Sequence, residues 1–138
     1  MSTAAGSFSC HSAWRVSRTN LRPSGVFGIR ELRDATRSPW EPPLDIHELP
    51  DAFLVVVEVP GLSRRSLEVT FDPRESVLTI AGYRDDLSPR DRVGTHQMEI
   101  RHGAFERRVK VLERVDVDAI DARYAKGFIH VTLPKRKG

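Results

Sequence analysis

Leu67-Glu68-Val69-Thr70-Phe71-Asp72-Pro73-Arg74-Glu75-Ser76-Val77-Leu78-Thr79-Ile80-Ala81-Gly82 decides the fold. Leu67, Val69 and Phe71 alternate with Glu68, Thr70 and Asp72, the period of a strand with one buried face. Asp72-Pro73-Arg74-Glu75-Ser76 reads as a turn, with a proline that presets φ. Residues 77–81 form the next strand, which Gly82 closes. The same grammar continues outward on both sides. Upstream, residues 53–59 are a nearly continuous β-branched run, suited to a strand covered on both faces and stopped by Pro60-Gly61. Residues 44–47 form a short, edge-like strand. Ser38-Pro39-Trp40-Glu41-Pro42-Pro43 precedes it, and its close prolines oppose helix and fit an extended path.

Downstream, Phe105, Arg107, Val109 and Val111 share one face of a strand, and Glu106, Arg108 and Lys110 share the other. Ile120, Ala122 and Tyr124 alternate with Asp121 and Arg123. Ala125-Lys126-Gly127 makes a tight turn before a last strand at 128–133. A turn of helix fits near 63–66 or 117–120. Turn signals recurring roughly every 8–12 residues mark an all-β sandwich. Residues 85–97 are a polar connection long enough to be functional or disordered.

The chain has 138 residues, about one domain. Its longest run of large apolar residues is 53–57, far short of the roughly 18 residues of a membrane span. One cysteine, Cys10, excludes an intrachain disulfide framework and a thiolate zinc cage. The formal net charge is +3, with 22 basic and 19 acidic side chains. Residues 1–40 hold six arginines against Glu31 and Asp34, a balance of +4; the remainder holds 16 basic and 17 acidic residues, a balance of −1. The chain therefore divides into an arm, residues 1–38, a sandwich domain, residues 39–135, and a short end, residues 136–138. The arm reads as flexible and partly helical, with two or three helical turns fitting residues 27–37. Its first 30 residues contain no acid, as in a transit peptide, and lack the compact apolar stretch of a secretory signal. A cytoplasmic location is expected, with organellar targeting as the alternative.

No nucleophile elbow, phosphate-binding glycine loop or zinc motif is present. The five histidines, His11, His47, His96, His102 and His130, read as solvated or packed side chains rather than ligands. Cys10 lies where a nucleophile would lack a fixed base. No enzyme, cofactor or metal is expected. Nucleic-acid binding through Arg15, Arg18, Arg22 and Arg30 finds thin support, because no aromatics interleave a basic strand face.

Five motifs in order resemble the small heat-shock proteins and their α-crystallin domain. They are Pro43-Leu44-Asp45-Ile46-His47-Glu48; Val57-Glu58-Val59-Pro60-Gly61-Leu62; Leu78-Thr79-Ile80-Ala81-Gly82-Tyr83-Arg84; Glu99 with Gly103-Ala104-Phe105-Glu106-Arg107; and Ala122 to Ile129 followed by Leu133-Pro134-Lys135. The resemblance covers residues 39–135 and is closest to the bacterial and plant branch. It implies an immunoglobulin-like β-sandwich and an ATP-independent holdase that binds partly unfolded proteins. It also implies a homodimer made by exchange of a loop strand, here 85–97 with Val93, onto the partner's Leu44 and Ile46 edge. Arg107 would support a dimer or inter-strand ion pair. The family's terminal I-x-I tail inserts into a groove that would correspond here to Leu67, Val69, Phe71, Ile120 and Ala122. No such motif follows Pro134, so a dimer or an arm-held assembly is expected. Val111-Leu112 stands where the family has Leu-Pro.

Phe8, Trp14 and Phe27 are candidate client contacts in the arm, since adaptable segments suit many partners and aromatics bring large apolar area. Trp40 is expected to pack on its own domain. The alternative function is a client-specific, co-chaperone-like adaptor built on the same sandwich.

Overall fold

The computed structural model describes residues 39–63 and 66–137, and the backbone of 12–14 and 16–18. Among the described residues nine strands follow in chain order: β1 (Ser12–Trp14), β2 (Val16–Arg18), β3 (Leu44–Glu48), β4 (Ala52–Glu58), β5 (Leu67–Asp72), β6 (Val77–Arg84), β7 (Gly103–Lys110), β8 (Asp121–Ala125) and β9 (Phe128–Pro134). One sheet has the order β1-β8-β9-β4-β3 and the other β2-β5-β6-β7. The two pack face to face as a sandwich, in which alternate residues of each strand point inward.

The core follows from that alternation. Val55, Val57 and Val59 come from β4 and its end, Val69 and Phe71 from β5, Leu78 and Ile80 from β6. Phe105 and Val109 come from β7, and Ala122, Ile129, Val131 and Leu133 from β8 and β9; all are buried. Among the described residues no polar or charged side chain is buried. The dry interior removes apolar surface from water, the main favourable term in folding.

The turn at 72–76 forms as its residues predict. Asp72 Oδ1 accepts from the backbone N–H of Arg74 at 2.9 Å and of Glu75 at 3.3 Å, an Asx turn. A 3-10 turn at Val117–Ala119 occupies one of the two expected helical positions.

Three readings need correction. The run at 53–59 is sealed on its inner face only. β4 is flanked by β3 and β9 on its two edges, and Leu54 and Val56 on its outer face are half-buried beside His47, Thr132, Asp45 and His130. The apolar run thus reflects a central strand rather than one covered on both faces. Gly82 does not close its strand; β6 continues to Arg84. A Cβ at Gly82 would lie 2.3 Å from the Ser66 carbonyl oxygen and 2.5 Å from the Phe105 ring. The glycine marks close approach inside a strand, not an end. Third, two pieces of the arm are strands, β1 and β2, although neither has a period of its own. Their pairing is with the edges of β8 and β5. The helix expected at 27–37 lies outside the described residues.

Candidate functional site

Two places on the sandwich bear on function: the corner where the chain enters the domain, with the long loop beside it, and the side between β5 and β8. At the corner, Trp40 bridges to β7 in parallel fashion. Its N–H donates to the Ala104 carbonyl at 3.1 Å, and its carbonyl accepts from the Glu106 N–H at 3.1 Å. Its indole N–H donates to the Gly103 carbonyl at 3.3 Å, and its ring lies 5.6 Å from that of Phe105. The Arg84 guanidinium stacks 4.6 Å above the indole, a cation–π contact.

Arg84 also ties the loop base. Its Nε donates to the Arg101 carbonyl at 2.9 Å and Nη1 to the Pro60 carbonyl at 3.2 Å, while Nη2 reaches the Arg101 carbonyl as well. A rigid guanidinium fork suits such a role better than an ammonium. Beside it, His102 Nε2 faces Asp86 Oδ2 at 3.6 Å. Asp86 accepts from the Ser88 hydroxyl at 2.5 Å and the Ser88 N–H at 2.9 Å. These hydrogen bonds, then the charge of His102, hold the Asp86 carboxyl below its ordinary value of 3.8.

Between the two ties the loop runs out without strand structure, and residues 91–101 are all exposed. Val93, Leu87, Ile100 and Met98 present large apolar side chains to solvent. Loop and sandwich enclose a cleft of about 490 Å³ lined by Pro60, Arg84, Leu87, Met98 and Ile100 among others. Among the described residues β3 pairs on one edge, with β4. Leu44 is half-buried against the core and Ile46 is 52% exposed. A smaller cleft of about 240 Å³ opens between β3 and β7, lined by Ile46, Phe53, Val109, Leu112 and Leu133 among others.

Arg107 stands on the same strand face as Phe105 and Val109, half-buried. Its Nη1 donates to the Pro42 carbonyl at 3.0 Å. The partner is thus a backbone carbonyl of the segment leading into β3, and Pro42 itself is buried. Of the groove residues, Val69, Phe71 and Ala122 are buried, and Leu67 and Ile120 pack half-buried on the core. They line the side that β1 and β2 border. Trp14 falls in β1, opposite Ala122. Phe8 and Phe27 lie outside the described residues.

Arg84 and Trp40 are a contacting pair at the loop base that reading by period did not single out. Arg84 ends the Leu78–Arg84 motif, but the aromatic beneath it comes from 44 positions earlier. Among the described residues no group of three His, Cys, Asp or Glu side chains could hold a metal, and no helix is long and apolar enough to cross a membrane.

Residues 45–138 match the model of the Hsp20/alpha crystallin family. The chain belongs to this family. A small heat shock protein C2 of Rickettsia felis is 30% identical over 96 residues, which span 70% of this chain and 61% of that protein. The solved heat shock protein 16.0 of Schizosaccharomyces pombe is 30% identical with a TM-score of 0.65, covering 73% of this chain and 78% of that one. A small heat-shock protein of Xylella fastidiosa, described as having a distinct high order structure, is 31% identical with a TM-score of 0.64, covering 73% and 91%. The chain therefore spans about three-fifths of the Rickettsia relative's length, and the likeness lies in the α-crystallin sandwich.

Proposed function

We propose that this chain is an ATP-independent holdase chaperone that binds partly unfolded proteins and suppresses their aggregation under stress. One observation carries the reading. Among the described residues, a sandwich with a dry, closed core leaves one edge of β3 unpaired and carries a loop that exposes Leu87, Val93, Met98 and Ile100. A rigid frame that displays apolar side chains and an open edge suits capture of extended, partly unfolded chains by strand addition. The family membership supports the same reading.

The building block is a homodimer formed by loop-strand exchange. Edge strands left open invite pairing with another chain, and exchange of an identical element is a low-cost route to dimers. In this reading the 85–97 segment, with Val93, lies along the partner's Leu44 and Ile46. Arg84 and the Asp86–His102 pair fix the two stems from which the loop projects. Arg107 holds the Pro42 segment and so positions β3 to receive the partner. Phe8, Trp14 and Phe27 are assigned to client contact. The reading calls for no catalytic step, cofactor or metal.

The test is a panel of unrelated heat-labile proteins, each heated with the chain and without nucleotide. The soluble fraction of each client is then measured after centrifugation. Protection across the panel is expected; protection of one client alone would replace the holdase by a client-specific adaptor.

A further inference from the structure

Both stems of the long loop converge on the residue by which the chain enters the sandwich. Trp40 is the first residue after Pro39 to pair with a strand, and it does so on the edge of β7, the last strand of its sheet. Its backbone exchanges hydrogen bonds with Ala104 and Glu106, each at 3.1 Å. Its indole N–H donates to the Gly103 carbonyl at 3.3 Å. Gly103 is where the loop rejoins the sheet. Its φ of +91° is a left-handed value that glycine adopts without strain. A Cβ there would meet nothing within 4 Å, so this glycine serves the turn and not the packing. Trp40 thus clamps the returning stem at its pivot.

The outgoing stem is held through Arg84, which ends β6 opposite Gly103 in the ladder. The guanidinium stacks 4.6 Å from the Trp40 ring centre. From that position Nε donates to the Arg101 carbonyl at 2.9 Å and Nη1 to the Pro60 carbonyl at 3.2 Å. The groups that hold Arg84 are therefore two carbonyls and one aromatic face, none of them charged. Asp85, Asp86 and Glu99 line the same cleft. Hydrogen bonds between ionised partners are stronger than neutral ones, so these carboxylates are the alternative hold for a guanidinium that has lost its stacking plane.

We infer that Trp40 positions the long loop by acting through Arg84, and that the entry of the chain into the domain and the order of the loop form one coupled unit. With Trp40 seated, the indole keeps the guanidinium aimed at the Arg101 and Pro60 carbonyls, and both stems stay fixed. With Trp40 drawn off β7, the Gly103 pivot loses its clamp and Arg84 its plane. The guanidinium then turns to the acids of the loop, and the stems part. A pull on the chain at Pro39 is in this way read at Leu87 to Ile100. Linkage makes the coupling reciprocal, so a partner that draws the loop out also loosens Trp40. The inference concerns the order of the loop and stands whatever the loop goes on to bind.

The experiment uses the full chain with Cys10→Ser and a nitroxide label at one introduced cysteine. Ile100→Cys is exposed beside the returning stem. Glu75→Cys, exposed in the turn at the other end of β6, is the control. Label mobility is read by electron paramagnetic resonance. Trp40→Leu keeps apolar bulk against Phe105 and removes both the aromatic face and the indole N–H. The correlation time of the Ile100 label should shorten about twofold or more in Trp40→Leu and in Arg84→Gln, as the loss of a cation–π contact allows. Trp40→Phe, which restores the face alone, should recover most of the lost order. In the double variant, Trp40→Leu should add less to Arg84→Gln than it does to the parent chain, the mark of one residue acting through the other. The Glu75 label should not change in any variant. An Ile100 label that Trp40→Leu leaves unmoved, additive effects in the double variant, or no recovery with Trp40→Phe would overturn the inference. A Glu75 label freed as much as the Ile100 label would also overturn it, since that marks general loosening of the sandwich.

Discussion

Gly82 shows how far a single atom matters in this sandwich. The nearest obstacles to a Cβ there are a backbone oxygen, that of Ser66, and the ring of the buried Phe105. Neither can move without disturbing the pairing of β5 with β6 or the seat of Trp40. Gly82→Ala should therefore destabilise the domain by about 1–3 kcal/mol, the usual cost of overpacking, read as a lower urea midpoint at unchanged slope. Arg107 acts through one hydrogen bond to the Pro42 carbonyl. Removing it leaves that acceptor beside a buried proline, so Arg107→Ala should cost about 1–3 kcal/mol and shift the size distribution in solution. Unchanged melting together with unchanged size would remove Arg107 from the account. Asp86 sets a pH dependence. Its native value is depressed below 3.8, chiefly by the Ser88 hydroxyl. A depressed carboxyl stabilises at pH above the unfolded value, and that contribution is lost as pH falls through the native value. Amide protection at the loop base, taken relative to the intrinsic exchange rate at each pH, should thus fall below about pH 3.8, and Asp86→Asn should remove that change.

At the scale of elements, the loop and the β3 edge are complementary parts of one proposed interface. Ile46→Asp places a charge on the open edge, a device by which edge strands resist pairing. It should convert dimer to monomer by light-scattering mass measurement while leaving the melting temperature nearly unchanged, because Ile46 is already half exposed. A dimer that survives Ile46→Asp would direct the interface elsewhere. The elements differ in how well they could be read in advance. β5, with its alternation, and the Asx turn after it were legible because each depends on neighbouring residues alone. The reason for Gly82 lies in Ser66, just ahead of β5, and in Phe105 on β7, on the two sides of β6 and far from it in sequence. Trp40 packs on its own domain as expected, and its stack with Arg84 joins positions that only the tertiary fold brings together. β1 and β2 were invisible for the same reason: Ser12-Ala13-Trp14 and Val16-Ser17-Arg18 are strands by virtue of the edges they meet. Of the proposed site, the Leu44–Ile46 edge and Val93 loop were legible as pattern, while Arg107's partner, a backbone carbonyl, leaves no mark in the sequence.

Taken whole, the molecule is a near-neutral sandwich with a basic segment, not a uniformly basic domain. The excess of positive charge lies in residues 1–40, and two pieces of that segment, β1 and β2, pair with β8 and β5. Among the described residues the sandwich closes its core yet leaves eight large apolar residues exposed, four of them on the loop, Leu87, Val93, Met98 and Ile100, and one on β3, Ile46. In a member of the Hsp20/alpha crystallin family that arrangement is what the proposed capture of unfolding chains without an energy source would use. Light scattering of a heat-labile protein held at its unfolding temperature, with this chain present at equal subunit concentration and ATP absent, tests this most directly. The account predicts that scattering stays close to baseline while the client alone aggregates. Scattering that rises to the same level with and without the chain would contradict it.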